Sequence, residues 1–284
     1  MPDRARNVGA SVRQRLLNLA HARGQPMELL LTRYALERLL HRLSLSPHRE
    51  RFVLKGAMLL ATWFDEPHRA TRDVDLLGFG DAAENSLLAT FREIMAVEVD
   101  DGVHFDLKGL RIEAIREELE YGGSRLRTTA ALAGARIPIT VDIGFGDAVE
   151  PGVEDIDLPV LLDMPSPHLR AYPPETVIAE KFHAMVVLGR ANSRMKDYYD
   201  VWMLTRAFEI DPERLSRAVV ATFARRSTEI PAEVPEGLSN AFADDPGKQL
   251  QWSAFARNLS GSVPDLRLVV SELRGKLLGI MVAK

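Results

Sequence analysis

One short run constrains the fold of this chain more than any other: "VLKGAMLL" at residues 53–60, followed closely by "RATRDVDLLGFG" at 69–80. An apolar strand-like run stops at Gly56, and an apolar helix-like run leaves directly from it. A helix that opens right after a glycine offers unsatisfied backbone N–H groups to an anion such as a phosphate. The next strand carries Asp73 and Asp75 one residue apart. Side chains alternate along a strand, so Thr71, Asp73, Asp75 and Leu77 share one face, and Arg72, Val74 and Leu76 the other. Two carboxylates on one face repel unless a positive charge lies between them. Mg²⁺ or Mn²⁺ suits such a pair, because hard divalent cations take oxygen ligands and share them with substrate phosphates. Asp142, the one acid in the apolar strand "ITVDIGF", is the candidate third ligand, since an unpaired charge there would be expensive. By itself D-x-D is a weak signal, for edge strands often carry outward acids. The glycine turn upstream turns the balance toward a site for a nucleoside triphosphate with its metal.

The rest of the chain sorts around this centre. Residues 9–23 and 27–43 read as N-terminal helices. The second is leucine-rich on too many sides to serve as a base-reading helix. Strands are expected at 51–56 and 70–79, with helices at 57–64 and 81–97. The latter is opened by a capping box of Asp81 and Glu84. Two short strands flank Lys108-Gly109, two longer ones fold back at Gly134, and "LPVLLD" (158–163) and "HLRAY" (168–172) read as two more. Past Pro173-Pro174 everything reads as helix (174–190, 196–208, 211–226, 249–259, 264–281), apart from a Pro- and Gly-bearing loop at 227–248. The expected architecture is α+β: N-terminal helices over 1–48 packed on a mixed-sheet core at 49–172, and a helical C-terminal domain at 173–284.

Two further segments carry polar groups where the helical pattern is apolar. Lys181 falls within the stripe Val177, Ile178, Phe182, Met185, Val186 and Leu188, so it either snorkels or meets an anion, while Glu180 and His183 fall outside. Asp197 shares a face with Val201, Leu204 and Phe208. It is either an N-cap or a functional acid, and a Lys181–Asp197 contact is open.

The 284 residues contain no cysteine, which excludes a disulfide scaffold and a Cys-ligated zinc site and fits a cytoplasmic protein. No apolar run is long enough to span a bilayer, and the first residues show no secretory signal. The net charge of −4 argues against a large non-specific nucleic-acid footprint. Local clusters of arginine (Arg111, Arg116, Arg125, Arg127, Arg136; Arg190, Arg194 with Lys196) could still touch an RNA backbone.

Taken in order, "FVLKGAMLLATWF…RATRDVDLLGFG", "VDIGFGD", "ETVIAEKFHAM" and "RMKDYYDVW" resemble the AbiEii/AbiGii-type toxins. These are nucleotidyltransferase-like proteins of type IV toxin–antitoxin and abortive-infection systems, within the DNA polymerase β-like superfamily. The resemblance implies a nucleotidyltransferase-like sheet core and a metal-dependent transfer of NMP from an NTP, with a tRNA 3′ end as acceptor and a cognate antitoxin as partner. It places the first motif on Lys55, Gly56, Ala57, Arg69, Thr71, Asp73 and Asp75, with the two aspartates on the metal and Asp142 as third acid. The A-E-K motif falls on Lys181, implied to meet the triphosphate, and K-D-x-x-D on Lys196, Asp197 and Asp200, with Asp197 the functional acid. Ala57 stands where such proteins usually have Gly or Ser, so a hydroxyl contact to phosphate is missing. The rival expectation is a catalytically silent member of the fold that binds a nucleotide or a protein.

Overall fold

The computed structural model describes residues 7–64, 71–115, 123–257, 259 and 262–281. The chain divides into two compact units, one made of residues up to 146 plus 155–171, the other of 147–154 plus 172 onward.

The first unit is an α+β layer structure. Helices α1 (Val8–Arg23) and α2 (Met27–Leu45) precede β1 (Phe52–Lys55), α3 (Gly56–Trp63), β2 (Val74–Gly78) and α4 (Glu84–Ala96). The strands β3 (His104–Phe105), β4 (Arg111–Ile115), β5 (Gly123–Leu132), β6 (Ala135–Phe145), β7 (Glu154–Asp157) and β8 (His168–Ala171) follow, with α4 leading into β3. The sheet order is β3-β5-β6-β2-β1-β8-β7, with β4 also on β5. The sheet is mixed: β1 runs antiparallel to β2, β2 parallel to β6, and β6 antiparallel to β5. Every residue of α2 from Tyr34 to Leu43 is buried, so this helix is a core element rather than a reading head. Two of the charges it buries are matched, while the fully buried Arg38 guanidinium has no hydrogen-bond partner among the described residues. Arg42 forks onto both oxygens of Asp101 at 2.6 and 3.1 Å, and Glu37 accepts from Arg33 and from the Leu161 backbone N–H. Such pairs cost several kcal/mol to break from one side.

The β5–β6 hairpin turns at Ala133 (φ 44°) and Gly134 (φ 84°), the double left-handed turn that matches strand twist. It fixes the register, Leu132 opposite Ala135.

Three expectations are corrected here. Helix α4 is not opened by an Asp81/Glu84 capping box. Its N-cap is Ala83, and Asp81 instead accepts from the Ala83 N–H at 2.9 Å as a local turn. The strand expected at 158–163 lies earlier, at Glu154–Asp157, on the sheet edge. There Asp155 and Asp157 are held by Arg49 and His168 rather than by apolar packing. Of the strand expected at 70–79, residue 70 lies outside the described residues, and among the rest the strand begins only at Val74.

The second unit is helical: α5 (Pro174–Leu188), α6 (Met195–Ala207), α7 (Pro212–Arg225), α8 (Asn240–Asp244), α9 (Pro246–Ala256) and α10 (Leu266–Met281). Phe223 of α7 packs against Phe182 and edge-on against His183 of α5, with centroids 5.5 and 5.0 Å apart. Tyr198 of α6 stacks on Phe242 of α8 at 5.2 Å and donates to the Gly237 carbonyl. The expected loop 227–248 therefore contains structure. Ser239 and Asp245 cap α8 and α9 by accepting from Phe242 and Lys248 N–H groups, and Pro246 begins α9 rather than breaking it. Among the described residues no helix is long and apolar enough to cross a membrane.

Candidate active site

The first unit brings the glycine turn and the aspartates into contact. Strand β1 ends at Lys55, and Gly56 takes φ +71°, a conformation that suits glycine, as the first residue of α3. A Cβ on Gly56 would stand 1.9 Å from Oδ2 of Asp75. The turn and the second carboxylate are thus packed together with no space for any side chain between them. Helix α3 has no acidic residue in its first turn and no side-chain cap at Lys55. Ala57, its second residue, supplies a backbone N–H but no hydroxyl.

Strand pairing extends the site sideways. Lys55 is opposite Asp75, Asp75 is opposite Asp142 on the parallel neighbour, and Asp142 is opposite Arg125. One row across β1, β2, β6 and β5 therefore reads cation, acid, acid, cation. The flanking residues Leu54, Val74, Leu76, Val141, Ile143 and Leu126 are all buried, so the polar row lies on the opposite face from this apolar packing. Asp73, one residue before β2, shares the parity of Asp75, and its Oδ1 accepts from Thr71 Oγ1 at 2.9 Å. Arg125 meets Asp142 side-on, Nε to Oδ1 at 2.7 Å and Nη2 to Oδ2 at 2.6 Å. That bond holds the guanidinium charged even more firmly than usual. Among the described residues no group of three acids or histidines converges as a metal cage. Asp142 has the right strand position but faces Arg125. Arg69 lies outside the described residues, as does Arg116.

The arginine clusters are partly used up by such pairs. Arg125 is taken by Asp142, and Arg127 lies 3.0 Å from Glu113. The Arg125–Asp142 pairing escapes a residue-by-residue search but not a register count. Seven residues outward from the Leu132–Ala135 pair, along each strand, stand Arg125 and Asp142.

The second unit has its own charge cluster. Lys181 on α5 donates to Asp197 Oδ1 at 2.6 Å and lies 2.9 Å from Asp200 Oδ2, both on α6. Arg194 Nε lies 2.6 Å from the other oxygen of Asp197. Asp197 and Asp200 are fully buried. Of the readings open for Asp197, capping is excluded, for the N-cap is Arg194 and no side chain caps α6. The contact with Lys181 is present, and Asp200 joins it. His183, expected outside the apolar stripe, is buried as well. Burial, then the Arg226 charge, lowers its pKa to about 4. It sits between Arg226 Nη1 at 3.3 Å and Thr228 Oγ1 at 2.9 Å. This fits a neutral ring accepting at Nδ1 and donating at Nε2. Arg226 also reaches Glu180 at 3.1 Å, and Tyr172 donates to Asp147 at 3.2 Å.

A mixed sheet with a strand–glycine–helix turn seated against an aspartate of the next strand, and a further acid on its parallel neighbour, defines the nucleotidyltransferase-like class. A family model described as "Nucleotidyl transferase AbiEii toxin, Type IV TA system" matches residues 38–274. The chain belongs to that family. Among solved structures, JHP933 from Helicobacter pylori aligns with a TM-score of 0.44 at 13% identity, covering 90% of this chain and 99% of that one. Another H. pylori protein, described by assignment as a nucleotidyltransferase, aligns with a TM-score of 0.40 at 13% identity, covering 90% and 98%. No match is found among curated proteins.

Proposed function

We propose that this toxin-family protein is a metal-dependent nucleotidyltransferase that moves NMP from an NTP to the 3′ end of a tRNA. The observation that supports the reading is the contact between the Gly56 turn and the Asp75 carboxylate, an arrangement suited to a phosphate on the backbone N–H groups and a metal on the acid. The donor set fits a hard divalent cation such as Mg²⁺ or Mn²⁺, for it is oxygen-only and built on Asp73 and Asp75, with Asp142 on the adjacent strand. When bound, such a cation neutralises charge growing on the attacking and leaving oxygens.

The remaining work falls to the chain. The amino end of α3, at Gly56 and Ala57, binds the phosphates through backbone N–H groups, and Lys55 adds positive charge beside it. Thr71 orients Asp73 by its hydrogen bond. The acceptor hydroxyl oxygen forms a bond to the α-phosphorus as the bond to the β-phosphate oxygen breaks, and pyrophosphate leaves. The hydroxyl proton passes to a carboxylate, for which Asp142 is the candidate, or Asp142 joins in cation binding. Arg69 is assigned to the nucleotide by its place in the first motif. Lys181 and Asp197 are assigned functional roles in the second unit, with Lys181 serving the triphosphate. An antitoxin partner goes with family membership, and NTP and tRNA as substrates imply work in the cytoplasm.

The test incubates the protein with Mg²⁺, total RNA and each α-³²P-labelled NTP in turn. Label in the tRNA band with wild type and none with Asp73→Ala is the expected result. The silent-module reading draws on one observation, the engagement of Asp142 by Arg125. Nucleotide binding by thermal shift without transfer to RNA, protein or small molecules would favour it.

A further inference from the structure

Helix α2 buries one charge that the fold does not answer. The Arg38 side chain is fully buried, and Nε, Nη1 and Nη2 are all without a hydrogen-bond partner among the described residues. The guanidinium lies over the Tyr34 ring, 5.7 Å from its centroid, which eases the charge but gives the N–H fork no acceptor. His41, one turn further along the same face of the helix, is buried as well, and its Nδ1 also lacks a partner. Burial, then the Arg38 charge, lowers the His41 pKa, so the ring is neutral. Its hydrogen bond to the Ser166 backbone uses the ring N–H, which leaves Nδ1 as an acceptor. A fork of donors thus stands next to a lone pair, both out of reach of bulk water.

The neighbouring acids are already committed. Glu37 accepts from Arg33 and from the Leu161 N–H, and Asp101 is held by both Nη groups of Arg42. Three guanidinium groups therefore face two carboxylates, and one positive charge is left over on this stretch of α2. A water molecule would satisfy N–H groups and a lone pair but not that charge, and a buried charge without a counter-charge is expensive. The β7–β8 connection roofs the helix here. Its Pro159 carbonyl accepts from Arg33 at 3.2 Å, its Leu161 N–H donates to Glu37 at 3.0 Å, and its Ser166 backbone meets His41.

We propose that Arg38 and His41 form an internal binding site for a small monovalent oxyanion that carries one O–H, of the size of hydrogencarbonate. Two of its oxygens accept from the guanidinium fork, its O–H donates to Nδ1 of His41, and its charge cancels the surplus. The anion is taken up as the protein folds and is enclosed under the β7–β8 connection. No covalent bond is made or broken, and neither Arg38 nor His41 belongs to the proposed catalytic face.

The test follows equilibrium urea unfolding of the full-length protein at fixed ionic strength and mildly alkaline pH, with sodium hydrogencarbonate replacing sodium gluconate, an anion too large for the site. The wild-type midpoint is expected to rise with the logarithm of hydrogencarbonate concentration, because a ligand of the folded state alone stabilises it by mass action. Arg38→Met, whose apolar side chain needs no counter-charge, should match or exceed wild type in gluconate and show no response to hydrogencarbonate. His41→Phe should need on the order of tenfold more anion for the same shift. Bromide, which accepts but cannot donate, should stabilise wild type less. Equal wild-type midpoints in hydrogencarbonate and gluconate overturn the site, and so does an equal rise in wild type and Arg38→Met. Bromide acting as strongly as hydrogencarbonate contradicts the oxyanion assignment. If Arg38→Met does not fold, a crystal structure of wild type refolded in hydrogencarbonate decides. Planar trigonal density against Arg38 upholds the site, and water alone there removes it.

Discussion

The two units neutralise paired acids in opposite ways. In the first, Asp75 and Asp142 come from strands, sit half-buried on a sheet face, and stand opposite Lys55 and Arg125 of neighbouring strands at fixed register, with Asp73 one residue before β2. In the second, Asp197 and Asp200 lie one helical turn apart, are fully buried, and are met by a lysine from another helix and an arginine from the same one. A half-buried row can trade a side-chain cation for a metal at little cost, since both ions keep contact with water. A buried cluster cannot, because stripping either sign leaves an uncompensated charge in a low dielectric. The difference teaches that the sheet acids can exchange a partner cheaply, whereas the helix acids keep theirs whatever further role they serve.

That contrast can be broken first at the sheet. Asp75→Asn removes the charge beside the glycine turn with little change of shape. Nucleotidyl transfer should fall on the order of 10³ or more, several kcal/mol of transition-state stabilisation, while the urea midpoint barely moves. Gly56→Ala should be next, because its Cβ must displace the Asp75 carboxylate. A misplacement of that size is expected to cost about 10² in transfer rate. In the helical unit the sign of the contrast reverses. Lys181→Met takes the lysine away from two buried acids, and should destabilise the fold by about 3–5 kcal/mol in urea unfolding. Adding Asp200→Asn should restore part of that stability. If transfer returns with it, Lys181 is a structural cation; if stability returns without transfer, it serves the triphosphate.

The smallest effect concerns His183. Its folded pKa of about 4 lies below the ordinary value of 6.5, so the unfolded chain binds more protons between those values. Stability from this group is therefore complete above pH 6.5 and lost as pH falls toward 4, by at most about 3 kcal/mol. His183→Gln should flatten the dependence of the melting temperature on pH across that window.

Much of the first site is legible in the sequence because it is local. A glycine between an apolar strand and an apolar helix, and alternate aspartates in the next strand, need no tertiary information. The same holds for the long hairpin, whose two-residue turn is written in its Ala133-Gly134 step. What is not legible is set by distant partners. β7 carries acids on an exposed edge, and its pairing with β8 and the contacts with Arg49 and His168 all come from elsewhere in the chain. The stretch 227–248 hides the short helix α8, capped by Ser239, and the start of α9, for a proline at a first-turn position such as Pro246 starts a helix as readily as it ends one. Asp200 had the spacing to join Asp197, one turn on, but its burial depends on helix packing that spacing alone does not reveal. Arg125 is the instructive case, visible as a charge yet meaningful only once the register sets it opposite Asp142.

The claim beneath all of this is that the Asp73–Asp75 face and the Gly56 turn hold a divalent cation and a nucleotide together. It is tested most directly by calorimetric titration of an NTP into wild type and Asp75→Asn, each with Mg²⁺ and with EDTA. The account predicts that Mg²⁺ tightens binding to wild type and has no effect on Asp75→Asn. Equal Mg²⁺-dependent affinity in the two proteins would contradict it.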